Sequence, residues 1–161
     1  GTGGFSDVKR GDWYAPYVAF AKRYGIANGY LDGTFRPEQP VSRAELVKLI
    51  ASYFTVEGGT SPFPDVPDGH WAAEVVSFAA EEGWVSGYPD GTFRPDAPVS
   101  RAEAVKILNH ALDRRAGERA AALPFTDVEK GHWACDEIRE AAVSHTYRKS
   151  GGGETWLTYE R

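Results

Sequence analysis

The sequence predicts a mainly α fold of three related helix–loop–helix repeats around a pseudo-threefold axis, the third repeat ending in a β-hairpin. Three observations predict it. The first is recurrence. Phe5-Ser6-Asp7-Val8 returns as Phe63-Pro64-Asp65-Val66 and as Phe125-Thr126-Asp127-Val128, each followed by a glycine and a tryptophan (Gly11 and Trp13, Gly69 and Trp71, Gly131 and Trp133). The second is a pair of longer matches. Gly29-Tyr30-Leu31-Asp32-Gly33-Thr34-Phe35-Arg36-Pro37 aligns with Gly87-Tyr88-Pro89-Asp90-Gly91-Thr92-Phe93-Arg94-Pro95, and Val41-Ser42-Arg43-Ala44-Glu45 with Val99-Ser100-Arg101-Ala102-Glu103. A repeat of roughly 60 residues is long for a solenoid, so each unit should be a small supersecondary structure. The third is a switch from helical to alternating periodicity near the C-terminus.

The repeats divide the chain into residues 5–54, 63–112 and 125–161, all contributing to one compact domain. In the first, Trp13, Tyr17, Val18, Phe20 and Ala21 follow one helical face; in the second, Trp71, Val75, Val76, Phe78 and Ala79 do so. Pro16 sits in a first turn, where its missing N–H costs nothing. Both helices should stop at a left-handed glycine, Gly25 or Gly83. The Gly-Tyr-x-Asp-Gly-Thr-Phe-Arg-Pro stretch is turn-rich. A second helix then starts at Ser42 or Ser100, with core faces Ala44, Val47, Leu49, Ile50 and Ala102, Val105, Ile107, Leu108. The third repeat keeps its first helix, from Trp133 through Ile138, Ala141 and Ala142. In place of the rest stand two alternating runs, Tyr147–Lys149 and Glu154–Tyr159, around the Gly-rich Ser150–Gly153, which reads as a hairpin. Asp113–Leu123 reads as a linker or a helix extension.

Bulk properties narrow the function. The net charge of −5 disfavours general binding to nucleic acid or to membrane surfaces. The single cysteine, Cys135, excludes an intrachain disulfide, so packing must stabilise the fold. No apolar run approaches the ~20 residues of a membrane span, and membrane insertion is not expected. No secretory leader is legible, as expected of a mature or excised piece.

Ser-Arg-Ala-Glu is the most informative motif. Ser42 with Glu45, and Ser100 with Glu103, have the spacing of a capping box. That leaves Arg43 and Arg101 unexplained, because a cation in a first turn opposes the helix macrodipole. Placed twice beside helix N–H donors, it suggests an anion site suited to carboxylate or phosphate. Trp13, Trp71 and Trp133 read first as core residues and otherwise as a sugar-stacking platform at a groove rim. Asp7, Asp65 and Asp127 read as turn and capping residues, or as acceptors for sugar hydroxyls. Asp32-Gly33 and Asp90-Gly91 read as turns. His70 and His132, with Asp12 as their counterpart, suit helix capping better than a shared metal. Glu81-Glu82, Glu137 and Glu140 read as solvated helix faces. No zinc spacing, nucleophile elbow, phosphate loop or dinucleotide fingerprint occurs, so no catalytic residue, metal or cofactor is expected.

These motifs together closely resemble the S-layer homology domain family, over two full repeats and the first half of a third. The resemblance implies a pseudo-threefold spindle with grooves between neighbouring repeats. It implies non-covalent anchoring of a larger surface protein to the bacterial envelope through a cell wall polysaccharide, in many members through a pyruvylated N-acetylmannosamine. By position, Arg43 and Arg101 would bind the ligand carboxylate. Ser42, Ser100, Glu45 and Glu103 would hold the arginine helices and line the groove. Asp7, Asp65, Trp71, Trp133, Gly29 and Gly87 would supply neighbouring walls. The third repeat has no Ser-Arg-Ala-Glu, so at most two grooves are expected to be competent. The alternative is a protein–protein interaction module of the cell surface with the same fold.

Overall fold

The computed structural model describes residues 2–114, 121–150 and 153–159. Its elements run α1 (Ala15–Arg23), α2 (Arg43–Ala51), α3 (Ala73–Glu81), α4 (Arg101–Ala111), α5 (Cys135–Ala142), β1 (His145–Ser150) and β2 (Gly153–Tyr159). This is the expected mainly helical chain with a terminal hairpin. Of the Asp113–Leu123 linker, only residues 113–114 and 121–123 lie within the described residues, and α4 has already ended at Ala111.

Local chemistry explains each helix boundary. α1 carries its proline in the first turn. Its C-terminus is a full Schellman motif. Gly25, at φ 70°, donates to Lys22 O at 3.2 Å, and Ile26 donates to Ala21 O at 2.9 Å. α3 repeats this at Gly83 and Trp84, whose N–H groups reach Ala80 O at 3.1 Å and Ala79 O at 2.8 Å. α2 and α4 each begin with a complete capping box, Ser42 with Glu45 and Ser100 with Glu103. His70 and His132 accept the N–H of Ala72 and Ala134 through Nδ1, at 3.1 and 3.2 Å, so both rings serve helix starts.

Packing follows one rule: the second helix of a repeat lies against the first helix of the next. α2 packs on α3, α4 packs on α5, and α2 also meets α4. The main core lies here, built from Ala44, Val47, Val66, Ala72, Val76, Ala79, Phe93 and Ile107, with Trp84 closing it. α1 stands apart. It packs on its own repeat through Phe5, Val8, Ala15 and Val18, with Tyr14 and Phe35 alongside. A closed pseudo-threefold spindle needs three such neighbour interfaces; among the described residues two are formed.

The expected core faces are corrected accordingly. Trp13, Trp71 and Trp133 are exposed, as are Tyr17, Phe20 and Leu108. For α1 the reason is the missing neighbour. In α5, Ala141 and Ala142 face outward, and the buried positions are Cys135, Arg139 and Glu140. The hairpin pairs Tyr147 with Trp156, Arg148 with Thr155 and Lys149 with Glu154, with a register shift between Thr146 and Tyr147.

The acidic residues of α5 overturn the solvated-face reading. Glu140 is fully buried and collects Trp156 Nε1 at 2.9 Å, Arg114 Nε at 3.1 Å and His145 Nε2 at 3.2 Å. Glu137 accepts Asn109 Nδ2 at 2.8 Å and faces His110 Nε2 at 3.2 Å. These contacts lock α5 to α4 and anchor the hairpin. Glu140, His145 and Glu154 present ligand atoms within 4.8 Å of one another. The Arg114 guanidinium already stands against two of the three, 3.0 Å from Glu140 Oε1 and 3.2 Å from His145 Nε2.

Candidate ligand-binding grooves

The loop between the two helices of a repeat is built around one aspartate. Asp7 accepts the N–H groups of Phe35 and Arg36 at 2.8 and 2.7 Å; Asp65 accepts those of Phe93 and Arg94 at 2.9 and 2.7 Å. Burial opposes the charge, most of all at Asp65, but these bonds, those from Phe35 and Phe93 foremost among the backbone donors, outweigh it and hold both carboxyls below the ordinary aspartate range. Asp7 and Asp65 therefore clamp their loops, and neither lines either of the two grooves. Within the loop, Asp32 takes Thr34 Oγ1 at 2.6 Å and Arg36 Nη2 at 2.9 Å, and Asp90 does the same with Thr92 and Arg94. Gly29 and Gly87 are required by close approach. A Cβ at Gly29 would lie 2.2 Å from Phe5 Cε1, and one at Gly87 2.7 Å from Phe63 Cε1.

The loop delivers a tyrosine to the capping glutamate. Tyr30 donates to Glu45 Oε1 at 2.6 Å, and Tyr88 to Glu103 Oε1 at 2.7 Å. Burial opposes the charge on each glutamate. The capping N–H of Ser42 or Ser100, the tyrosine and the serine hydroxyl outweigh it and hold both pKa values low. Each Glu–Tyr pair forms the floor of an inter-repeat groove, and there the two sites diverge.

At Glu103 the neighbouring repeat supplies Arg43. Its side chain is 6% exposed, with Nη1 2.9 Å from Glu103 Oε1 and Nε donating to Phe93 O at 2.9 Å. The guanidinium lies 4.8 Å from the Tyr88 ring centre and 4.9 Å from that of Phe93, while Arg94 covers the other flank of Tyr88 at 3.9 Å. Arg43 Nη2 has no acceptor among the described residues. The resulting groove, about 200 Å³, is lined by Arg43, Ser86, Gly87, Tyr88, Glu103, Lys106 and Trp133, with Trp84, Val85 and Ile107 beneath. Lys106 sits 5.9 Å from the centre of the Trp133 ring.

At Glu45 no arginine of a neighbouring repeat pairs with the carboxylate among the described residues; Arg36, of the same repeat, lines the groove and is paired with Asp32. That groove is wider, about 960 Å³, and is lined by Gly29, Tyr30, Ser42, Glu45, Lys48 and Trp71 among others. Lys48 lies over Trp71 at 5.3 Å, the counterpart of Lys106 over Trp133. Arg101 is exposed, makes no hydrogen bond or ion pair among the described residues, and lines neither groove. The wall it would face is the loop the third repeat lacks. Loss of one half-repeat thus removes the arginine from one groove and the wall from another, and the expected upper limit of two grooves falls to one with every element assembled.

The free N–H donors expected beside Arg43 are also absent. Arg43 N donates to Ala97 O at 3.0 Å, Ala44 N to Pro95 O at 3.0 Å, and Glu45 N to Ser42 Oγ at 3.2 Å. Any anion recognition at Arg43 rests on the side chain. Sequence reasoning left Tyr30 and Tyr88 open between core packing and sugar stacking, and passed over Lys48 and Lys106 as site residues. Their signal was present: each lysine stands five residues after the arginine in both intact repeats.

The class that emerges is a scaffold of sequence repeats that assembles a charged, aromatic-rimmed groove between neighbours. The chain belongs to the S-layer homology domain family, whose profile matches residues 4–47 and 62–105. It is 35% identical over 156 residues to a cellulosome-anchoring protein of Acetivibrio thermocellus, covering 93% of this chain and 35% of that protein. It is 36% identical over 155 residues to cell surface glycoprotein 1 of the same organism, covering 89% of this chain and 7% of that protein. An S-layer protein of Bacillus licheniformis is 40% identical over 117 residues, covering 66% of this chain and 13% of that protein. The chain spans about a third or less of the length of these relatives. No described helix is long and apolar enough to cross a membrane.

Proposed function

We propose that this chain is a non-catalytic module that anchors a larger surface protein to the bacterial cell envelope by binding a secondary cell wall polysaccharide. The reading places it outside the cell and assigns the binding to one groove, that of Arg43, Tyr88, Glu103, Lys106 and Trp133. A carboxylate-bearing sugar, such as a pyruvylated N-acetylmannosamine, suits this groove. The observation that supports it most is the charge balance. Arg43 and Lys106 against Glu103 leave one net positive charge beside an exposed indole face, matched to one carboxylate on a sugar ring. The Glu45 groove, with Arg36 and Lys48 against Glu45 and Asp96, is neutral. Ser42, Ser100, Glu45, Gly29 and Trp71 take structural roles or line the second groove, and Arg101 takes no part in the site.

The test is co-sedimentation with purified wall polymer, with calorimetry on the synthetic pyruvylated sugar and its unmodified form. Arg43→Lys keeps the charge and loses the planar fork; it and Lys106→Ala should each weaken binding at least about tenfold, the scale of one charge-assisted hydrogen bond. Arg101→Ala should bind as the unaltered chain does. If Arg101→Ala abolishes binding while Arg43→Lys does not, the groove assignment is wrong. Equal affinity for both sugars would remove the carboxylate from the reading.

A further inference from the structure

α1 and α3 occupy equivalent places in their repeats, yet α1 is bare along a stripe whose centre α3 has covered. Trp13, Tyr17, Phe20 and Tyr24 recur at the spacing of one helical face and are 80%, 70%, 55% and 62% exposed. Of their counterparts, Val75 and Phe78 on α3 pack against the core that includes α2, while Trp71 and Glu82 at the two ends are themselves exposed. The next positions repeat the contrast. Trp84 and Val85 are buried, whereas Ile26 and Ala27 are only half-buried. Four aromatic side chains on one face are a contiguous apolar patch of the kind that marks an interaction site.

The two formed interfaces specify what would cover it. In each, a capped helix of the Ser-Arg-Ala-Glu type lies on the first helix of the following repeat, as α2 on α3 and α4 on α5. In each, the lysine five residues after the arginine sits over that repeat's tryptophan, Lys48 over Trp71 and Lys106 over Trp133. Where the second helices of two intact repeats meet, the arginine of one pairs with the capping glutamate of the next, as Arg43 does with Glu103. The first repeat offers both acceptors unfilled. Among the described residues Glu45 pairs with Tyr30 and its own cap but with no arginine, and no lysine lies over Trp13.

We propose that the α1 face and the adjoining Glu45 groove are a docking surface for an amphipathic helix of another polypeptide. That helix carries an arginine in its capped first turn and a lysine five residues later. The arginine enters the groove to pair with Glu45, the lysine covers Trp13, and the apolar face lies on Tyr17, Phe20 and Tyr24. The charge match at Glu45 and the two internal copies of the arrangement set the occupant's chemistry. The proposal is independent of whether any groove takes a sugar.

The test uses the whole chain and a capped synthetic peptide with the sequence of residues 98–112, followed by the tryptophan indole N–H signals in NMR. The expected result is a saturable shift of the Trp13 signal, with Trp133 unmoved. Arg→Ala in the peptide, and Glu45→Gln in the protein, should each weaken the interaction at least about tenfold. Phe20→Ser, at an exposed position that the fold tolerates, should abolish it. Three outcomes overturn the proposal: no saturable Trp13 shift, even with the peptide fused through a flexible linker; a shift unaffected by Glu45→Gln; or movement of Trp133, which would mean the peptide had displaced α4. Concentration-dependent dimerisation in sedimentation that Phe20→Ser removes would overturn it too, since the face would then belong to a second copy of this chain.

Discussion

The first two repeats share their loop motif, their capping boxes and their Schellman stops, and yet they end as different objects. The second repeat has a neighbour on each side: α2 lies on α3, and α5 lies on α4. Among the described residues the first has a neighbouring helix on one side only. Near-identical local sequence therefore yields a closed core and a compact groove in one case, and an aromatic face and an open groove in the other. Local chemistry builds the repeat; the adjacent repeat decides whether its apolar face is core or surface.

The sharpest way to break that contrast is to delete equivalent side chains. Trp84 is 4% exposed and packs against Phe54 and Phe78, with ring centres 4.7 and 5.2 Å away. Trp84→Ala should cost about 3–5 kcal/mol, the usual range for a large core deletion. Ile26 holds the same position in the first repeat and is half-buried. Ile26→Ala should cost about 1–2 kcal/mol, less than the ~2–5 of a fully buried site. Urea unfolding followed by fluorescence and by far-UV dichroism measures both. Equal losses would mean that the first repeat has a covered core after all.

The arginines give the next largest difference. Arg43→Ala leaves Glu103 without its cation and Phe93 O without its donor. Breaking such a pair should cost about 3 kcal/mol, the low end for a buried ion pair because Glu103 keeps some contact with water. Arg101→Ala should stay within about 0.5 kcal/mol, as surface substitutions do. The same unfolding measurement decides it, and a costly Arg101→Ala would reveal a partner for that side chain.

This pair also shows how far the sequence could be read. The capping boxes, the glycine stops, the loop turns and the terminal hairpin were all legible, because each depends on residues within a few positions of one another. Arg43 and Arg101 were indistinguishable for the same reason: their local contexts match. What separates them is whether a loop arrives from about fifty residues away, and Phe93 and Glu103 carry no local mark of that. Asp7 and Asp65 were assigned to walls when their carboxylates reach backbone N–H groups 28 and 29 residues on. Glu140 was read as solvated because nothing nearby announces Arg114, His145 and Trp156 converging on it.

The smallest expected effect is one that should not differ between the repeats. Both loops are held by carboxylates with depressed pKa values. Thr34, through its hydroxyl and backbone N–H, and the Arg36 guanidinium hold Asp32 to about 2. Thr92 and Arg94 likewise depress Asp90. A group whose folded pKa lies below its unfolded value, about 3.9 for aspartate, adds stability that is fully present above the unfolded pKa and is lost as pH falls through the folded one. The loop contribution should therefore persist down to about pH 4 and fade towards about pH 2. Asp32→Asn and Asp90→Asn should each flatten that part of the stability profile by a similar, modest amount, since both ion pairs are solvent-exposed and screened. Chemical denaturation at stepped pH measures it. A markedly larger effect at Asp90 would show that the neighbour interface stiffens the loop itself, and would carry the inequality of the two repeats down to their most local structure.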